Sequence, residues 1–177
     1  MIELILSGGG PLILVRDGLL PSWGGIENIG GLQSQERNCF EAGRPCDYDR
    51  ACAVEGWIGE VSISDGSAVV FSGDQLSLGI RQVGPSSLLV VRPWCHEENL
   101  DEQVSALLAS SPPFEADFEF AVMHRPLTVF DSANPGFEIF PPLLRTSLEP
   151  GRYVVSTYAH RWDGPSGITL HRLERQH

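Results

Sequence analysis

Apolar residues in this chain arrive in short bursts fenced by glycine and proline, and that spacing limits the fold most. LILV at 12–15, SAVVF at 67–71 and SSLLVVRPW at 86–94 show the pattern. Runs this short suit buried strands better than helices. Nineteen glycines and thirteen prolines supply the breaks. They suit many short strands joined by turns and argue against a helical bundle. No run nears the ~20 residues that span a bilayer. The early run Pro11 to Val15 is too short for a signal-peptide core, and no basic residue precedes it. The chain is therefore expected to be cytoplasmic.

The opening ELILSGGGPLILVR reads as a strand, a glycine turn and a second strand ending near Arg16. GEVSISDGSAVVFSGD carries a hairpin signal. Asp65-Gly66 suits the two central positions of a type I′ turn, where positive φ is needed. That register pairs Ile63 with Ala68 and Val61 with Val70. It sends all four to one face and Ser62, Ser64, Ser67 and Val69 to the other. RACAVEGW fits either a short helix or a strand, since periodicity does not decide. Residues 26–46 show weak periodicity and read as a long loop.

One stretch has helical spacing. Leu100, Val104, Leu107 and Leu108 fall at i, i+4, i+7 and i+8. Asn99 is placed to cap this helix, with Glu102 completing a capping box. Asp101 and Glu102 suit the positive end of the helix dipole, and Pro112-Pro113 ends it. FEADFEFAVM alternates acids with phenylalanines, as a half-buried strand does. LTVFDS, YVVSTYAHRW and GITLHRLER follow as strands, the last two hinged at Asp163-Gly164-Pro165. The expected class is α+β and mostly β, with antiparallel sheets in a sandwich or a strong curve. One main amphipathic helix lies near residues 100–110. No repeat or composition break divides the chain, so residues 1–177 are expected to form a single domain.

The charge is lopsided. Acids outnumber bases by 23 to 12, and every base is arginine. Nonspecific nucleic-acid binding needs basic surface, so that class is disfavoured; the acidic balance suits a basic partner, or equally serves only to keep the protein soluble. Between Arg92 and Arg125 there is no arginine or lysine, and seven acids crowd in: Glu97, Glu98, Asp101, Glu102, Glu115, Asp117 and Glu119. A second cluster is Asp47-Tyr48-Asp49. Its alternatives are a partner surface, or a local turn that caps a helix and pairs with Arg50.

Reactive patterns are missing from the sequence. No H-E-x-x-H or C-x-x-C occurs among His96, His124, His160, His171, His177 and the four cysteines. Asp47-x-Asp49 begins like a calcium loop, but Cys52 and Ile58 stand where glycine and glutamate belong. SGGGP has no P-loop lysine. His160 and His171 fall on strands expected to pair, and so to lie near each other. Cys52, Cys95, Trp57 and Trp94 read as core, and Tyr48 as a possible interface anchor.

GGPLILV, LLPSWGG, DYDRACAVEGWIGEV, LTVFDSA and LEPGRYVVSTY follow one another from Gly9 to Tyr158. In wording and order they resemble the immunity protein 21 family of bacterial polymorphic toxin systems. The segment Gly30 to Pro45 departs from that pattern. The resemblance implies a small cytoplasmic protein, mostly β with some helix, that binds a toxin before it acts, and it brings no catalytic residues to transfer; with the motifs above missing, no cofactor or metal is expected. The expected partner is a cognate toxin domain, and a nuclease with a basic catalytic surface is one class that an acidic inhibitor suits. Asp47, Tyr48, Asp49, Glu97, Glu98, Asp101 and Glu102 are the candidate contact residues. Two other classes stay open: a small hydrolase using Asp47, Asp49 and a nearby histidine, and a ligand-binding regulator using Trp23 and Phe137 to Phe140.

Overall fold

A computed structural model describes residues 2–27, 45–73, 77–95, 98–123, 125–162 and 165–176. The described strands are β1 (Leu4–Leu6), β2 (Leu12–Arg16), β3 (Gly59–Ile63), β4 (Gly66–Phe71), β5 (Ser77–Gly84), β6 (Ser87–Pro93), β7 (Glu115–Val122), β8 (Leu127–Asp131), β9 (Leu144–Thr146), β10 (Gly151–Arg161) and β11 (Gly167–Arg175). Two α-helices, α1 (Asp47–Cys52) and α2 (Leu100–Ala109), and 3-10 turns at Asp17–Ser22 and Gly25–Glu27 complete the order.

The strands form two antiparallel sheets. One runs β1-β5-β6-β11-β10-β7, the other β3-β4-β2-β8-β9. Their inner faces share one core, where Leu12, Leu14 and Phe71 of the five-stranded sheet meet Leu88, Val155 and Leu173 of the six-stranded sheet. Each outer face is covered as well. Ala51 of α1, with Leu19 and Trp23, lies over Ile13, Val15 and Phe130. Leu100 and Val104 of α2 lie over Leu89, Val91 and Leu170. A strand roofed on both sides has no solvent face, so every residue of β2 is buried. This is why LILVR reads as an unbroken apolar run instead of an alternation.

The architecture is the mostly-β α+β class expected, with its amphipathic helix in place. Several local expectations are corrected. The β3–β4 hairpin exists, but Val61 faces Ala68 and Ile63 faces Gly66. Ser64 and Asp65 hold the turn, with Ser64 at φ 48°. The slip of two positions keeps every side chain on its expected face, because side chains alternate with period two. Gly66 serves closeness instead: a Cβ there would lie 2.8 Å from Leu19 Cδ1 and 2.9 Å from Arg16 Nη2. Arg16 reaches over it to Asp65 at 2.9 Å.

Asn99 makes no side-chain cap; it sits in the left-handed region at φ 59°. Cys52 and Cys95 are exposed, and Cys46 is the buried thiol. Trp57 is 40% exposed, not core. DYDRAC is helical from Asp47. The SGGGP turn carries the chain from one sheet to the other, since β1 pairs with β5 and β2 with β4 and β8. Most of the 26–46 loop, with Cys39, lies outside the described residues, as does the Asp163-Gly164 turn. Among the described residues, no helix is long and apolar enough to cross a membrane.

Candidate partner-binding site

Helix α1 begins with a reciprocal cap. The Asp49 N–H donates to Cys46 Sγ at 3.5 Å, and the Cys46 N–H donates to Asp49 Oδ2 at 3.0 Å. Cysteine here does the work usually given to serine or threonine. Asp47 turns inward. Its side chain is 6% exposed; it accepts from the Gly24 N–H at 2.9 Å and from Arg50 Nη1 at 2.8 Å. Arg50 also donates to the Ser62 carbonyl, tying α1 to β3. Tyr48 lies half-buried over the glycine turn, where a Cβ on Gly10 would come within 2.5 Å of its ring. Its hydrogen bond with Cys52, reinforced by burial, pushes the phenol up to about 12. The three residues therefore display the local alternative: a cap, an ion pair and a lid on the turn.

The second cluster lies elsewhere. Glu98 and Glu102 are exposed at the start of α2. Asp101 accepts the Ile2 N–H at 2.9 Å and fastens the first described residues to the helix. Glu97 lies outside the described residues. Since α1 covers the outer face of the five-stranded sheet and α2 that of the six-stranded sheet, the structure does not bring the two clusters together.

It does bring other residues together, which sequence reasoning missed as a group. Strand β7 is an edge of the six-stranded sheet. Val155 faces Phe118 and Ser156 faces Ala116, so Asp117 is the extra residue of a β-bulge. The bulge brings Asp117 onto Thr157, whose hydroxyl donates to Asp117 Oδ2 at 2.6 Å. Beside this contact is a pocket of about 330 Å³, lined by Trp57, Pro113, Glu115, Asp117, Thr157, Tyr158 and Ala159. Burial raises the Asp117 carboxyl above its ordinary range, partly offset by the Thr157 hydrogen bond, with Glu115 adding repulsion.

Trp57 is held firmly. Its carbonyl accepts from the Ser72 N–H at 3.1 Å and from Arg92 Nη1 at 3.2 Å. Its ring stacks on Trp94 at 6.0 Å between centroids and 7° between planes. Trp94 is fixed in turn by its Nε1–H donating to Thr169 Oγ1 at 2.9 Å. Burial lowers Arg92 to about 10, so its guanidinium stays charged at neutral pH. The one sequence signal for this site was the acid–phenylalanine alternation of 114–120.

Behind Asp117, Thr157 Oγ1 lies 2.8 Å from His171 Nδ1. The hydroxyl proton goes to the carboxylate, so the oxygen accepts from His171 Nδ1–H, which fixes the tautomer. His171 faces the core against Phe71. His160 stands across from Ile168 and on the opposite face from His171, because adjacent positions alternate. The two histidines do not approach each other. Both belong to the sheet away from α1, so no His–Asp47–Asp49 site forms with them. Among the described residues, no group of three or more His, Cys, Asp or Glu is arranged to hold a metal. His96, His124 and His177 lie outside the described residues. Trp23 is fully buried and donates to the Ser132 carbonyl at 2.9 Å, while Phe137 and Phe140 are exposed.

Comparison with known proteins gives one family. The family model described as Immunity protein 21 matches residues 3–164, a span that includes β1 to β10 and ends before β11. No curated protein and no solved structure matches the chain.

Proposed function

Because this chain belongs to the immunity protein 21 family, we propose that it binds a cognate bacterial toxin and neutralises it, one molecule to one, without catalysis. It works in the cytoplasm as a single domain, and shields the producing cell or its kin. The toxin presents a basic surface, as a nuclease does toward its phosphate substrate. An acidic inhibitor matches such a surface and is steered to it.

The observation that supports this charge reading is the stretch between Arg92 and Arg125, free of arginine and lysine. Its described acids are Glu98 just before α2, Asp101 and Glu102 on α2, and Glu115, Asp117 and Glu119 on β7; α2 packs on the outer face of the six-stranded sheet and β7 is one edge of it. Glu98, Asp101, Glu102, Glu115, Asp117 and Glu119 are the face we assign to the toxin. Asp47 and Asp49 shape α1, and Tyr48 anchors it.

The test is co-expression with the toxin encoded beside this gene. Cells carrying both survive, and the purified pair runs as an equimolar complex. Raising salt slows association by about tenfold or more. Cells that die despite a well-expressed protein would refute the protective role. An association rate indifferent to salt would refute the electrostatic part alone.

A further inference from the structure

We propose that the pocket between β7 and Trp57 receives an arginine side chain of the toxin. This deepens the reading above and rests on it for the identity of the partner. The pocket has two unlike walls. One is the exposed part of Trp57, whose ring is backed by Trp94. The other carries Glu115 and the bulged Asp117. A flat π-face beside carboxylates fits one side chain best. A guanidinium stacks on indole and offers a planar fork of donors to an acid.

The molecule already uses half of this arrangement twice. Arg161 Cζ lies 5.5 Å from the centre of the Trp94 ring, and Arg172 Cζ lies 4.4 Å from that of Phe114. At about 330 Å³ the pocket is at the small end for ligand sites, a size for one long side chain. The carboxylate is also positioned, since the Thr157 hydroxyl holds one of its oxygens. Asp117 and Glu115 are both exposed at the pocket, so an incoming cation meets two carboxylates at close range. Anions are repelled by the same pair of acids. A central aromatic with a buried charge contact is the usual makeup of an interface hot spot.

The probe is N-acetyl-arginine methylamide, titrated into the full chain while the Trp57 indole N–H is followed by NMR and assigned with Trp57→Phe. A saturable shift is expected. The Glu115→Gln/Asp117→Asn double variant weakens it by about tenfold or more, the loss of a charge-assisted hydrogen bond. The uncharged citrulline analogue leaves the signal in place. No shift with arginine, an equal shift with citrulline, or a shift with methyl glucoside alone would overturn the proposal.

In parallel, the neighbouring toxin domain is titrated with wild type, Trp57→Ala and the double variant. Losses of about tenfold to a hundredfold support the pocket. Equal affinities sink the pocket and leave the immunity reading standing. A toxin that ignores the wild-type chain sinks the immunity reading, and the arginine titration still decides what the pocket accepts.

Discussion

Acid should unfold this protein through His171 well before its ordinary carboxylates are exhausted. The ring is fully buried between the sheets, against Phe71. Burial and the nearby charge of Arg92 lower its pKa from 6.5 to about 3. The folded value lies below the unfolded one, so the fold favours the neutral ring. Its contribution is complete above pH 6.5 and is lost as pH falls toward 3. In that window the unfolded chain takes up a proton that the native core refuses. Each pH unit is worth about 1.4 kcal/mol. The full window amounts to something of order 5 kcal/mol, comparable with the whole stability of many domains.

Only the first part of that window is needed for a measurement. Between about pH 7.5 and about pH 5 the loss is roughly 2 kcal/mol. Urea unfolding across that range, for wild type and His171→Asn, isolates it. Asparagine keeps an N–H for Thr157 and cannot titrate. The variant starts less stable, but its stability should fall by about 2 kcal/mol less. Shifts of groups outside the Asp117–Thr157–His171 chain are common to both proteins and largely cancel in the difference. Parallel stability curves would refute the reasoning, as would a native His171 ring titrating near its ordinary value.

Three further outcomes follow from packing. Gly136→Ala places a Cβ 1.9 Å from the Leu20 carbonyl oxygen; backbone must shift, and thermal unfolding should register a loss of about 1–3 kcal/mol. Cys46→Ala deletes the sulfur that caps α1 and should cost about 1 kcal/mol in urea, with Cys46→Ser restoring most of it. Leu14→Ala opens a cavity in the shared core and should cost about 2–5 kcal/mol by the same assay.

What the sequence made legible was the set of elements. The LILVR and SLLVVRP runs became β2 and β6, and the leucine spacing of 100–108 became α2. Local chemistry read in isolation was less secure. Asp65-Gly66 promised the turn, yet the closeness of Arg16 and Leu19 claimed Gly66, and Ser64 took the positive φ instead. Asn99 looked like a side-chain cap and used its tolerance of the left-handed region instead. Both outcomes depend on residues far away in the chain. So does the site: nothing in 47–61 says that Trp57 will stack on Trp94, or that a bulge will bring Asp117 to Thr157. The acidic stretch was visible as a stretch; its partition between a helix and a sheet edge was not. The Asp47 alternatives were both legible; a tertiary contact with Gly24 and a local ion pair with Arg50 are what its side chain makes.

The position of β11 governs how the larger sheet is joined. It follows every other strand in the chain, yet it is inserted between β6 and β10. Without it, the hydrogen-bonded ladder of the larger sheet consists of two pieces, β1-β5-β6 and β10-β7, joined only through the core they share with the five-stranded sheet. The larger sheet therefore closes only when β11 pairs with β6 and β10 at once.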